Sequence, residues 1–319
     1  MKDQLTDAKE EVMRVSIMIE GAWGLNWPRW KRLVNAAEEY GFDGIYRSDH
    51  FLDGKEGSFQ DALEAYISLA WAADNTERIE IGTLVSPISF RDPRILAWQA
   101  TAVNDLSGGR LRLGLGAGWQ ELEHDTFGFD LGSMDERFAR LEEACQVVRG
   151  LTRSDEPISL DGERYPLKNA KLEPRHPDTE SPAIVIGGKG PKRTLPLVAK
   201  YADEWNGLGM DNDTFRERNA MLDEMLAAEG RDPKSVRRSL MIGSIIAKDQ
   251  ATLDADPDKD RFEEMKGRGA VIGTPGEVVE ILGAKAEAGI ESIMLQWMDQ
   301  DDIAGLELIA RDVLPHVRS

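Results

Sequence analysis

The strongest constraint on the fold is an alternation that repeats eight times: a short apolar run, then a longer segment with apolar residues at helical spacing. Runs with no polar face suit parallel strands covered on both sides, and such strands need crossover helices between them. The runs fall at residues 12–20, 44–50, 79–86, 111–116, 183–186, 204–208, 240–247 and 292–297. The helical segments that follow them fall at 27–40, 62–75, 93–106, 134–151, 193–202, 214–228, 275–288 and 303–313. In the first of these, Pro28 sits near the first turn, Trp30, Leu33, Val34 and Ala37 form one stripe, and Gly41 marks the stop. Eight such units in 319 residues is the count of a (β/α)8 TIM barrel, in the α/β class. A doubly wound sheet is the alternative, but it carries fewer strands and, with a nucleotide, a glycine fingerprint after the first strand. None follows the first run here.

Two stretches break the rhythm. Residues 152–182 read as an insertion, with a hairpin at 158–165 turning at Asp161-Gly162 ahead of a Pro-rich loop. Residues 248–269 are acidic and without periodicity, a loop after the seventh strand that is either a lid or a solvated insertion. Residues 1–11 are polar and read as a flexible tail, and no linker divides the chain, so 1–319 is expected to be a single domain. The longest apolar stretches run to about eight residues, well short of the roughly 20 that span a bilayer. The start lacks a basic-then-apolar signal, and the expectation is a cytoplasmic protein without a membrane partner. Cys145, the only cysteine, is expected to be a buried structural thiol. With 58 acidic and 39 basic residues the net charge is −19, which argues against a nucleic-acid surface. An anionic ligand would need a local basic site.

In a (β/α)8 barrel the C-terminal strand ends and the loops after them build the active site. Glu20 closes the first strand, and Asp49-His50 closes the second, a carboxylate beside a group that exchanges protons near neutral pH. Gly114, Gly116 and Gly118 lead into Trp119 after the fourth strand, where glycines would let a flat ring lie against the mouth. After the fifth strand come Gly187-Gly188-Lys189-Gly190-Pro191-Lys192-Arg193-Thr194. Glycines there allow close backbone approach, the following helix N-terminus and three cations favour an anion, and phosphate is the natural partner. Asn206 ends the sixth strand, and Trp23, Trp27, Trp119, Trp205 and Trp297 lie where they could stack on a planar cofactor. Glu121, Glu123, His124 and Asp125 lack a metal-ligand spacing and read as a solvated acidic loop, so no metal site is expected. No nucleophile elbow, HExxH or CxxC is present.

The combination of Ser48-Asp49-His50-Phe51, Gly82 to Pro87, the Leu106-Ser107-Gly108-Gly109 turn before Gly114 to Trp119, Glu136 to Glu143, Ile186 to Gly190, and Tyr201 to Asn206 resembles the bacterial luciferase-like monooxygenase superfamily. Within it, the chain looks most like the branch using the deazaflavin coenzyme F420. The resemblance covers residues 12–313. It implies a barrel with an insertion after strand four, usually a homodimer, with F420 across the C-terminal mouth and hydride passing between the coenzyme and a small-molecule substrate. By position, Asp49 and His50 match the family's ring-side polar pair, and Leu84-Val85 matches a non-proline cis peptide that supports the ring. Gly187, Gly188, Lys192, Arg193 and Thr194 would hold the coenzyme phosphate. Deazaflavin-dependent sugar-phosphate dehydrogenases carry a Glu where this chain has Trp119, which points away from that substrate and leaves Glu20 as a replacement acid. An FMN-dependent monooxygenase, with a flavin or deazaflavin reductase as partner, is the alternative reading, and a non-catalytic flavin-binding barrel is a third.

Overall fold

A computed structural model of the chain describes residues 13–173 and 178–317. The expected tail at 1–11 and the first residue of the first expected strand lie outside the described residues. The elements in order are β1 (Arg14–Ile19), α1 (Trp27–Glu39), β2 (Gly44–Arg47), α2 (Ala65–Asp74), β3 (Glu80–Thr83), β4 (Ser86–Pro87), α3 (Pro93–Leu106), β5 (Leu111–Gly116), α4 (Glu121–Phe127) and α5 (Met134–Arg153). There follow β6 (Ile158–Leu160), β7 (Leu167–Ala170), β8 (Ala183–Gly187), α6 (Thr194–Tyr201), β9 (Glu204–Leu208), α7 (Asn212–Ala228) and β10 (Arg237–Ile246). The chain ends with α8 (Gln250–Asp254), α9 (Phe262–Gly267), β11 (Val271–Gly273), α10 (Pro275–Glu287), β12 (Ser292–Trp297), α11 (Ile303–Asp312) and α12 (Leu314–Val317).

The strands pair in parallel in the order β1-β2-β3-β5-β8-β9-β10-β12, and β12 returns to β1, closing a (β/α)8 barrel. Local chemistry sets the helix starts. Asn26, Asp92 and Ser133 each accept a first-turn amide with the side chain, and Ser133 with Glu136, like Thr274 with Glu277, completes a reciprocal capping box. Pro28, Pro93 and Pro275 occupy first-turn positions where an amide would be unmet anyway.

The barrel interior is layered. At its N-terminal floor Glu80 receives Arg14 at 3.3 Å and Arg237 at 2.9 Å, Glu204 receives Arg112, and the Tyr46 hydroxyl donates to Glu80 at 3.0 Å. Above that, Met18, Tyr46, Leu84 and Met294 form a separate apolar cluster with Val85 and Met241. Floor and plug close the barrel from below and leave chemistry to the C-terminal mouth.

Several expectations need correction. The second strand ends at Arg47, so residues 48–50 are loop. The third is split: Gly82 faces Arg112 and Ser86 faces Leu115, so a span of four opposes a span of three, a one-residue bulge between β3 and β4. The Leu84–Val85 bond in that bulge is cis. The hairpin is wider than expected, with Ile158 opposite Ala170, because its loop wraps the Glu143 carboxylate, which takes the amides of Arg164 at 2.9 Å and Tyr165. Residues 248–269 are not a plain loop but hold α8 and α9. These helices are too short for periodicity to show and rest on local caps and pairs, such as Asp249 on the Thr252 amide at 2.9 Å and Arg268 with Glu264 at 2.6 Å. Cys145 is fully buried in α5, and burial pushes its thiol up to about 12.

Candidate functional site

Asp49 and His50 leave β2 side by side but take different partners. Asp49 is buried and accepts Arg91 Nε at 2.7 Å, Arg91 Nη2 at 2.8 Å and the Ser86 hydroxyl at 2.7 Å. Burial alone would raise its carboxyl, but the Arg91 fork and the Ser86 hydroxyl outweigh it and hold the group below the usual range. Arg91 also donates to Glu64 at 2.7 Å and lies over the Tyr66 ring. Asp49 is thus an ionised anchor joining the β2, β4 and α2 ends.

His50 sits at the mouth with its side chain 16% exposed. Its Nδ1 is 2.8 Å from Glu123 Oε2, and the Trp119 ring meets it edge-on at 5.7 Å. Glu123 is fully buried; its other oxygen accepts the Phe51 amide and, at 3.1 Å, the Leu52 amide. The solvated acidic loop expected around Glu123 is therefore wrong. Those residues form α4, in which Glu123 and His124 face inward, His124 meeting Ser89 at 2.7 Å and the Gln120 carbonyl at 2.7 Å. Acidic residues in a first turn followed by Gly128, which ends α4 at φ +72°, form a helix signature that the sequence does carry. Arg91 was equally missed, although it lies between the third strand and Pro93. Burial tends to keep His50 neutral, but the Glu123 hydrogen bond and the charges of Glu123, Glu20 and Asp49 outweigh it and raise its pKa.

Glu20 lies across the mouth, where its carboxylate accepts Gln296 at 2.6 Å and its carbonyl accepts Gln300 at 2.9 Å. Leu84 belongs to the plug beneath. Val85 fills the space that glycines leave: a Cβ on Gly116 would come 2.4 Å from its Cγ2, and one on Gly114 or Gly187 would come 2.9 Å from its Cγ1. These three glycines hence have a packing reason of their own, and for Gly114 the Thr83 carbonyl, 2.0 Å from where a Cβ would sit, is tighter still. Gly118 has φ +83° and leads out to Trp119, 68% exposed at the rim. Trp23 is exposed there too, whereas Trp205 is buried, stacked on Phe215 with its indole N–H donated to the Gly188 carbonyl at 2.8 Å. Asn206 points into the barrel, donating to Ser239 at 2.9 Å, and its carbonyl takes the Gly188 amide at 3.0 Å.

The turn from Gly187 to Thr194 gathers three glycines, three cations and the N-terminus of α6. Gly188 has φ +132°, a conformation open to glycine. Thr194 is buried at the start of α6, and Lys189, Lys192 and Arg193 are exposed around it. Arg193 pairs with Asp135 at 2.5 Å, with both side chains largely in water. Such a pair is worth about 0–1 kcal/mol and yields to a better anion. These residues fit a phosphate-bearing cofactor, and the exposed rings at the rim fit a planar one.

The luciferase-like monooxygenase family pattern matches residues 13–258. An F420-dependent glucose-6-phosphate dehydrogenase from Amycolatopsis mediterranei is 28% identical over 89% of this chain and 92% of its own. An F420-dependent secondary alcohol dehydrogenase, solved with an F420-acetone adduct, superposes with a TM-score of 0.82 at 20% identity over 97% of this chain and 100% of that one. A type II Baeyer-Villiger monooxygenase component from Pseudomonas putida, solved with FMN, gives a TM-score of 0.75 at 17% identity over 95% and 98%. The two structural likenesses establish the shared barrel.

Proposed function

The chain belongs to the luciferase-like monooxygenase family, and from that premise we propose that it is an oxidoreductase that transfers hydride between coenzyme F420 and a small organic alcohol or carbonyl compound. The observation that carries F420 over FMN is the F420-dependent relative matched across nearly the whole chain, since solved barrels of this shape hold either cofactor. When bound, the deazaflavin accepts or donates hydride. The chain supplies the rest: the Gly187 to Thr194 turn and Lys192 and Arg193 hold phosphate, Trp119 borders the ring site, and His50 handles the substrate proton.

The side chain beside His50 at the rim is the Trp119 indole, and Trp23, Leu208 and Met298 are also exposed at strand ends. That apolar rim favours an uncharged substrate over a sugar phosphate. Homodimerisation is part of the same reading. Ile67 on α2 and Ile95 and Trp98 on the adjoining α3 are 61%, 59% and 50% exposed, an apolar face of the kind that marks association. Among the described residues no helix is long and apolar enough to cross a membrane.

Titrating the protein separately with F420 and FMN while following tryptophan quenching tests the cofactor. F420 should bind at micromolar concentration or below, and Arg193→Glu should weaken it about 10- to 100-fold, as expected for a charged phosphate contact. Binding of FMN alone would overturn the reading.

A further inference from the structure

Glu123 lies outside the expected site, yet it touches His50, and the chemistry of that contact is specific. Glu123 Oε1 already accepts two amides, and its Oε2, 2.8 Å from the ring nitrogen, is placed as the acceptor there too, which makes His50 Nδ1 the donor. In a neutral ring that places the proton on Nδ1 and the lone pair on Nε2, which has no protein partner among the described residues. The carboxylate is itself immobilised, because it is fully buried and its other oxygen takes the Phe51 and Leu52 amides. The imidazole is braced on another side by the edge of Trp119.

We infer that Glu123 is a positioning residue: through Nδ1 it fixes the tautomer and tilt of His50, so that Nε2 is the atom that takes the substrate hydroxyl proton. The inference rests on the hydride-transfer reading above. In alcohol oxidation the C–H electron pair leaves as hydride to the coenzyme, the O–H bond breaks, its proton joins Nε2, and the carbonyl forms. Glu123 then faces an imidazolium and stabilises it. In the reverse direction Nε2–H returns the proton to the oxygen. The charges facing His50 are Glu123 from α4, Glu20 from the β1 end and Asp49 beside it, the last already paired with Arg91. Glu123 is the one in hydrogen-bond contact, so it dominates the stabilisation of the charged ring.

The test uses 15N imidazole spectra of the intact protein, with His50→Asn identifying the signal among four histidines. The neutral His50 ring should carry its proton on Nδ1, and Glu123→Gln should lower its titration midpoint. With F420 and a secondary alcohol, Glu123→Gln should cut kcat about 10- to 100-fold, the usual range for a lost orienting partner, at little cost in KM. The acid limb of the kcat profile should move to lower pH. In the His50→Asn background the same substitution should change kcat no further; a persistent loss would mean that Glu123 acts only by tying down Phe51 and Leu52. An Nε2–H tautomer in the wild type, or an unmoved midpoint in Glu123→Gln, would overturn the inference. The wild-type spectrum decides even if the variant fails to fold. It also needs no coenzyme, so a failure of F420 to bind would sink the functional reading while leaving the tautomer measurement to stand or fall by itself.

Discussion

Asp49→Asn separates anchoring from proton transfer. The carboxylate is 1% exposed and meets Arg91 through two nitrogens and Ser86 through its hydroxyl. Removing one partner of a buried pair costs about 3–5 kcal/mol, chiefly because the other charge is stranded. Here Arg91 keeps Glu64 at 2.7 Å, although that side chain is 41% exposed and water weakens the replacement. The loss should therefore fall near the lower end, about 3 kcal/mol. Unfolding entropy of roughly 2 cal/mol/K per residue gives about 0.7 kcal/mol/K for a chain of this size, so Tm should drop by about 4–5 °C. Thermal unfolding followed by circular dichroism reads this directly. Because the folded carboxyl titrates below its unfolded value, its contribution is complete above the unfolded pKa and is lost as pH falls through the folded one. The gap between wild type and variant should accordingly shrink under acid conditions. Turnover should stay within about tenfold of wild type, far from the roughly 100- to 10,000-fold loss of a missing general acid or base. An unchanged Tm combined with collapsed turnover would refute the anchoring role and restore Asp49 to the chemistry.

Two further outcomes follow from packing. Gly116→Ala would drive a methyl to 2.4 Å from Val85 Cγ2 and should cost about 1–3 kcal/mol of stability by overpacking; adding Val85→Ala should recover much of it, measured by urea unfolding. If the α2–α3 face forms the homodimer proposed above, Trp98→Glu on α3 should leave monomers in sedimentation runs without lowering the monomer's Tm; a wild type that already sediments as a monomer, or an unchanged mass in the variant, would refute that interface.

The barrel itself was legible because doubly covered strands write themselves as apolar runs and their helices as stripes; the eight runs correspond to the strands that pair around the closed sheet. Ends were less legible. Residues 48–50 are polar and follow β2 without a break in sequence, yet Asp49 finds a better partner in Arg91 than any ladder could offer, and a pair 42 residues apart leaves no local trace. The bulge at Leu84 and Val85 depends on three glycines from two neighbouring strands, so spacing within one strand could not reveal it. Glu123 was hidden for a different reason. Four polar residues within five look hydrated until a seven-residue helix turns Glu123 and His124 inward, where His50 and the Phe51 and Leu52 amides serve the one, and Ser89 and the Gln120 carbonyl the other, in place of water.

The floor of Arg14, Glu80, Arg112, Glu204 and Arg237, with the methionine and tyrosine plug above it, also governs traffic. A tube stoppered at one end has a single doorway. On the proposed reading, with the coenzyme held at that doorway, a substrate seated deeper than the coenzyme would have to pass it, and the two would not come and go independently. On that reading the order of arrival and departure would follow from the architecture of the far end, some distance from any atom that reacts.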